Sequence, residues 1–282
     1  MGLACVIFCA LCGYHAYAGS PARYPLVPVP GMTRAELAVV AHPDPVAVLV
    51  LAPGANGDGG GLVADSGWRR LAEEKRLMLV GLSFASGMDA LQDGTGYYYA
   101  AKGSGKLLLD ALDRLTGKPL PVLLYGFSGG AHFTVRFAEW KPERVAAWCA
   151  YAIGSGDDPQ PSAAMPTGMV ACGEEDGLLG SSLTYFKQGR ALGKPWLWVG
   201  IPKSGHVQDG RVAAFARDYF SAVLEGARLE GERPREPQGG WVDIEDKAVA
   251  GADLSLYHPT SIGWLPDMRL FPKWKALMDE KF

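Results

Sequence analysis

The stretch PVLLYGFSGGAH, Pro121 to His132, runs from an apolar segment straight into a serine set among glycines. The run PVLLYGF has the continuous apolar character of a strand buried on both faces. From Gly129 onward, GGAHFTVRFAEWK reads as a helix, closed by Pro142. Gly126-Phe127-Ser128-Gly129-Gly130 therefore fits the pattern G-x-S-x-G on a strand-to-helix turn. Such a turn holds its serine in a strained backbone conformation that only small neighbours tolerate. The serine Oγ then stands clear of the sheet, and the N–H groups that follow open a helix and favour negative charge. A glycine loop without chemistry would show the same letters, so the meaning of Ser128 depends on what surrounds it.

On both sides of this stretch the chain alternates. VAVLVLAP (Val46 to Pro53), LMLVGLSF (Leu77 to Phe84), RVAAWCAYAIG, TGMVACG and PWLWVGIP read as strands. LVADSGWRRLAEEKR, KLLLDALDRL, LLGSSLTYFKQGRAL and GRVAAFARDYFSAVLEG read as helices. Strands alternating with helices predict an α/β fold with a mostly parallel central sheet and helices on both faces. Ligands of such sheets bind at the carboxyl ends of the strands. Ser128 follows one of those ends.

Composition narrows the classes further. A net charge of −3 with dispersed Lys and Arg gives no footprint for nucleic acid or for an anionic membrane surface. The first eighteen residues contain no Asp, Glu, Lys or Arg, and their apolar run from Leu3 to Leu11 is too short for a span of ~20 residues. It leads to Ala16-Tyr17-Ala18, an A-x-A cleavage signature, so residues 1–18 are expected to be a signal peptide, Gly19 the mature N-terminus and the protein exported (periplasmic or secreted). The pattern departs from a usual signal in lacking a basic residue ahead of the apolar run. Three of the five cysteines lie in this segment; Cys149 and Cys172 remain, each in a strand-like run, and are expected as buried thiols, with a bridge between neighbouring strands as the alternative. No CxxC pair is present, and no metal or organic cofactor is implied.

A serine nucleophile needs a base, and His206 in PKSGHVQ follows a strand and precedes the last helix of the alternation. His15 belongs to the signal segment, His42 to a loop ahead of the core strands and His258 to the tail. His132, on the helix after Ser128, reads as packed. The base needs a carboxylate to fix its tautomer. Asp176 in VACGEEDGLL is the candidate, with Glu174 and Glu175 beside it, and Asp157 and Asp158 after the preceding strand, as competitors. The order Ser128, Asp176, His206 resembles that of the α/β-hydrolase fold from about Val46 to Gly226. That resemblance implies an oxyanion hole built from the N–H of Gly129 and one from the loop LAPGANGDGGG, where Ala55 is the candidate donor and Asn56 stands behind it. Pro53-Gly54 replaces the usual His-Gly there.

The wider pattern is similar to secreted lidless esterases related to polyhydroxybutyrate depolymerases, feruloyl esterases and acetylxylan esterases. The resemblance implies a carboxylic-ester hydrolase, with a serine peptidase of the same fold or a non-catalytic binding protein as alternatives. The segment GSGDDPQPSAAMPT, after the strand that follows the helix opened by Gly129, is too short for a folded cap, so an uncovered serine open to bulky or polymeric esters is expected. Residues 19–226 form the expected hydrolase domain. Residues 227–282 comprise a polar linker and an extension rich in tryptophan, expected to dock on the domain rather than to meet a partner.

Overall fold

The computed structural model describes residues 20–161, 166–226 and 239–279. The expected signal peptide, most of the expected linker, the segment 162–165 and residues 280–282 lie outside the described residues. The central sheet has eight strands: β1 (Ala22–Pro25), β2 (Met32–Val40), β3 (Ala47–Ala52), β4 (Leu77–Ser86), β5 (Val122–Phe127), β6 (Val145–Tyr151), β7 (Gly168–Gly173) and β8 (Trp196–Ile201). Their order across the sheet is β1-β2-β4-β3-β5-β6-β7-β8. β1, β2 and β4 pair antiparallel, and every pair from β4 to β8 is parallel. β3 and β5 sit in the middle and are buried along their whole length, which is why their sequences carry no alternation.

β1 and β2 were not legible as strands. MTRAELAVV exposes Thr33 and Arg34 and mixes in Ala, Glu and Leu, which read equally well as helix formers. Pairing with β4, from Val40 opposite Leu79 to Ala35 opposite Phe84, overrides that local preference.

Among the described residues seven α-helices complete the layers: α1 (Gly60–Ala64), α2 (Ser66–Glu74), α3 (Ser104–Thr116), α4 (Gly129–Trp140), α5 (Leu179–Ala191), α6 (Gly210–Gly226) and α7 (Phe271–Met278). Asp65 caps α2 by accepting from the Trp68 N–H, and Gly117, at φ 70°, ends α3 in the left-handed region. α2 and α6 pack together, Trp68 lying 6.4 Å from Phe220. α4 joins α3 through Trp140 over Gly105, and α5 through the Tyr185 hydroxyl donating to Glu139. Cys149 and Cys172 are buried free thiols. Burial pushes the Cys149 thiol far up and Cys172 to about 11, so neither is a reactive thiolate.

Beyond α6, β9 (Gly240–Asp243), β10 (Ala248–Val249) and β11 (Ile262–Leu265) form a small antiparallel sheet in the order β10-β9-β11. It lies against the β8 side of the molecule. Trp274 of α7 is fully buried and its indole N–H donates to the Trp198 carbonyl at 2.8 Å. Arg190 of α5 donates to the Ile262 carbonyl at 2.7 Å and stacks on Trp241 at 4.3 Å. Its burial lowers the guanidinium pKa to about 10.

Candidate active site

Ser128 occupies the turn between β5 and α4 at φ 51° and ψ −115°, a conformation rare for any residue with a side chain. Its N–H is anchored to the Tyr151 carbonyl at 2.8 Å. The flanking glycines are required by close approach. A Cβ on Gly126 would stand 2.2 Å from the Gly130 carbonyl oxygen, and one on Gly130 would stand 2.3 Å from that of Ala52. Both obstacles are backbone, so the turn can be this tight only without those side chains.

The two other residues arrive from neighbouring strand ends. His206, in the loop after β8, has Nε2 3.0 Å from the Ser128 Oγ and Nδ1 2.8 Å from Asp176 Oδ2. Asp176 lies three residues past β7 and is almost wholly shielded, its side chain 1% exposed against 43% for His206. Its second oxygen accepts the Leu178 N–H at 2.8 Å, so both carboxylate oxygens are satisfied and the group cannot swing away. The Phe127 ring lies 5.0 Å from the imidazole and supports it from one side. The hydrogen-bond chain thus runs from a partly open hydroxyl, through an imidazole, to a buried carboxylate.

The competing residues are elsewhere. Glu174 and Glu175 are exposed. Asp157 lies against His132 Nδ1 at 2.5 Å and accepts from Arg136 Nε. Asp158 accepts from Gln188 at 3.2 Å. His132 is buried, and its Nε2 accepts the Gly154 N–H at 3.3 Å, so both ring nitrogens tie α4 to the loop after β6. His42 accepts the Asp44 N–H, and His258 pairs with Thr260, both in exposed loops. Neither approaches Ser128.

Ala55 and Gly129 come together beside the serine. A Cβ built on Gly129 would fall 2.9 Å from the Ala55 nitrogen and 2.8 Å from the Tyr97 hydroxyl. Among the described residues no acceptor takes the N–H of either Gly129 or Ala55. The Ala55 loop is braced from three directions. The Asn56 side chain donates to the Ser86 carbonyl and accepts its N–H, Arg34 donates to the Asn56 and Gly57 carbonyls, and the Asn56 N–H reaches the Tyr97 hydroxyl. Burial holds the Tyr97 phenol protonated far above its ordinary range. Asn56 pays for this placement with a positive φ of 58°.

Ser128, Gly129 and Ala55 open into a cleft of about 660 Å³ with apolar walls from Leu91, Tyr98 and Leu178. The residues Tyr97, Tyr98, Tyr99 and Arg136 escaped the sequence reading. The signal that could have found the tyrosines is three aromatics in a glycine-bounded loop past the carboxyl end of β4.

No protein-family model matches the chain, and no curated protein matches it by sequence. Solved structures do. A fluorophosphonate-binding serine hydrolase of Staphylococcus aureus superposes with a TM-score of 0.52 at 15% identity, covering 73% of this chain and 99% of its own. The chain has the α/β-hydrolase fold. An esterase of Pyrobaculum calidifontis gives a TM-score of 0.52 at 14% identity over 72% of this chain and 85% of its own. The LpqC poly(3-hydroxybutyrate) depolymerase of Bordetella parapertussis gives 0.50 at 15% identity over 70% and 86%. At such identities the likeness is one of fold, and the chemistry has to be argued from the site.

Proposed function

We propose that this protein is a carboxylic-ester hydrolase in which Ser128 is the nucleophile, His206 the general base and Asp176 the residue that orients His206. The observation that carries the proposal is the unbroken chain of hydrogen bonds from the Ser128 Oγ through His206 to Asp176, at 3.0 and 2.8 Å. In the first half-reaction His206 Nε2 takes the Ser128 proton as Oγ bonds to the acyl carbon. The carbonyl oxygen becomes an oxyanion facing the N–H groups of Gly129 and Ala55. Collapse of that intermediate breaks the carbon–alkoxy bond, and the alcohol leaves with the proton from His206. Water then attacks the acyl-enzyme, gives its proton to His206, and the acid departs as Oγ regains a proton. Asp176 keeps Nδ1 protonated and Nε2 free to accept, and stabilises the imidazolium that forms between steps.

A half-exposed His206 beside the serine is consistent with access by bulky or polymeric esters. The apolar segment ending in Ala16-Tyr17-Ala18 supports a reading in which the protein is exported. No helix among the described residues is long and apolar enough to cross a membrane. The test is turnover of p-nitrophenyl acetate by the purified protein and by Ser128→Ala. Loss of on the order of 10⁴-fold or more is expected, and equal rates would refute the assignment.

A further inference from the structure

We propose that the cleft beside Ser128 receives acyl chains ending in a carboxylate, and that Arg136 is the residue that recognises it. The proposal rests on the ester-hydrolase reading and deepens it to a substrate class. Among the described residues lining this cleft, Arg136 is the only Asp, Glu, Lys or Arg. Its counter-ion Asp157 lines the adjoining cleft of about 470 Å³, which shares Tyr99, Arg136 and Gly156 with this one. A molecule lying against Ser128 therefore meets one cation, whose Nε edge is already taken by Asp157.

The guanidinium is also held ready. Nε donates to Asp157, and the plane stacks on the Tyr99 ring with its centre 3.8 Å from the ring centroid. Nη1 makes only a long contact of 3.5 Å to the Tyr98 carbonyl, and Nη2 has no acceptor among the described residues. The side chain is only 11% exposed, so binding would fix little that is not already fixed. A planar fork with one edge committed and the other free suits a carboxylate. His132 offers no free donor because both ring nitrogens are engaged, and the neutral side chains of Gln92 and Ser155 also line the cleft.

Spacing and polarity of the walls define the chain between. Ser128, His132 and Arg136 follow one another at intervals of four along α4, so the two ends lie about 12 Å apart along the helix axis. Helical side chains lean toward the N-terminus, which brings the guanidinium nearer to the serine than that. Leu91, Tyr98 and Leu178 are the apolar walls of the cleft and suit methylenes. The acyl half is assigned to this cleft because the nucleophile Ser128 and the N–H donors Gly129 and Ala55 all line it.

The experiment compares kcat/KM of the full chain for p-nitrophenyl half-esters of succinic, adipic and suberic acid with kcat/KM for the matching methyl esters, in which the free carboxylate is masked. For the chain that reaches Arg136 the half-ester should be favoured on the order of 10- to 100-fold, the range of a hydrogen bond to a charged group. Succinate, too short to reach, should show no such preference. In Arg136→Gln the ratio should fall to about one, and Arg136→Lys should keep part of it; a ratio taken within each protein cancels any general loss of activity. If Arg136→Gln does not fold, the wild-type series and Arg136→Lys decide. Wild-type ratios at or below one for all three acids would overturn the proposal while leaving the hydrolase reading intact, as would a preference undiminished in Arg136→Gln. Failure to cleave any ester in the set would remove both.

Discussion

Gly129→Ala is a single-methyl probe of the oxyanion hole. The added Cβ would stand 2.8 Å from the Ala55 Cα and 2.9 Å from its nitrogen, where ordinary contact begins near 3.4 Å, so one side has to retreat by about 0.6 Å. The Tyr97 hydroxyl, also 2.8 Å away, cannot give way easily, because its ring is buried and lies 4.1 Å from that of Tyr98. Ala55 is therefore the part that moves, within a loop pinned by Asn56 and Arg34. Oxyanion donors act at about 2.7–3.1 Å, and a retreat of this size takes the Ala55 N–H past useful range. Losing one such donor costs roughly 10²–10³ in kcat. His206 and Asp176 lie on other elements, and the Ser128 N–H stays anchored to the Tyr151 carbonyl. The assay is steady-state hydrolysis of p-nitrophenyl acetate, with thermal melting to confirm an intact fold. The expected result is a fall in kcat of about 10² or more with KM changed by only a few-fold. A folded Gly129→Ala enzyme with kcat close to wild type would refute the assignment of Ala55 as a donor.

Asp176→Asn should leave the fold intact and lower kcat by roughly 10³–10⁴, since an amide no longer selects the required tautomer of His206; Asp157→Asn losing as much, with Asp176→Asn near normal, would transfer the role. Glu139 is held up to about 6, mainly by burial, while the Tyr185 hydroxyl and the Gln160 N–H oppose the shift. A carboxyl raised in the folded state stabilises the fold below its unfolded pKa, near 4.5, and that contribution is lost as pH rises through about 6. Glu139→Gln should therefore melt like wild type near pH 4 and gain roughly 1–2 kcal/mol over it above pH 6; a difference independent of pH would contradict this. Expressed with its native N-terminus, the protein should be recovered outside the cytoplasm with Gly19 first, and N-terminal sequencing that finds Met1 to Ala18 retained on a cytoplasmic protein would count against export.

The parts of the fold that were readable in sequence are those where burial alone decides. β3, β5 and β8 are covered on both faces and appear as unbroken apolar runs, and the small residues around Ser128 are forced by close backbone approach, Gly126 to Gly130 and Gly130 to Ala52. β1 and β2 escaped because their strand character comes from pairing at the edge of the sheet and not from their own residues. Asp176 and Asp157 show the same limit in the site. Each follows a strand by a few residues, and only the sheet order sends one toward His206 and the other toward His132 and Arg136. Arg136 reads in sequence as one more charge on an amphipathic helix. Its meaning depends on Tyr99 and Asp157, which arrive from distant loops.

The central claim is that Ser128 is a nucleophile activated by His206. Incubation of the purified protein with a fluorophosphonate, followed by peptide mass spectrometry, tests it directly. One phosphonyl adduct per chain, on the peptide containing Ser128 and absent from Ser128→Ala and strongly slowed in His206→Ala, is the predicted result. An unlabelled folded protein, or an adduct that persists in Ser128→Ala, would contradict it.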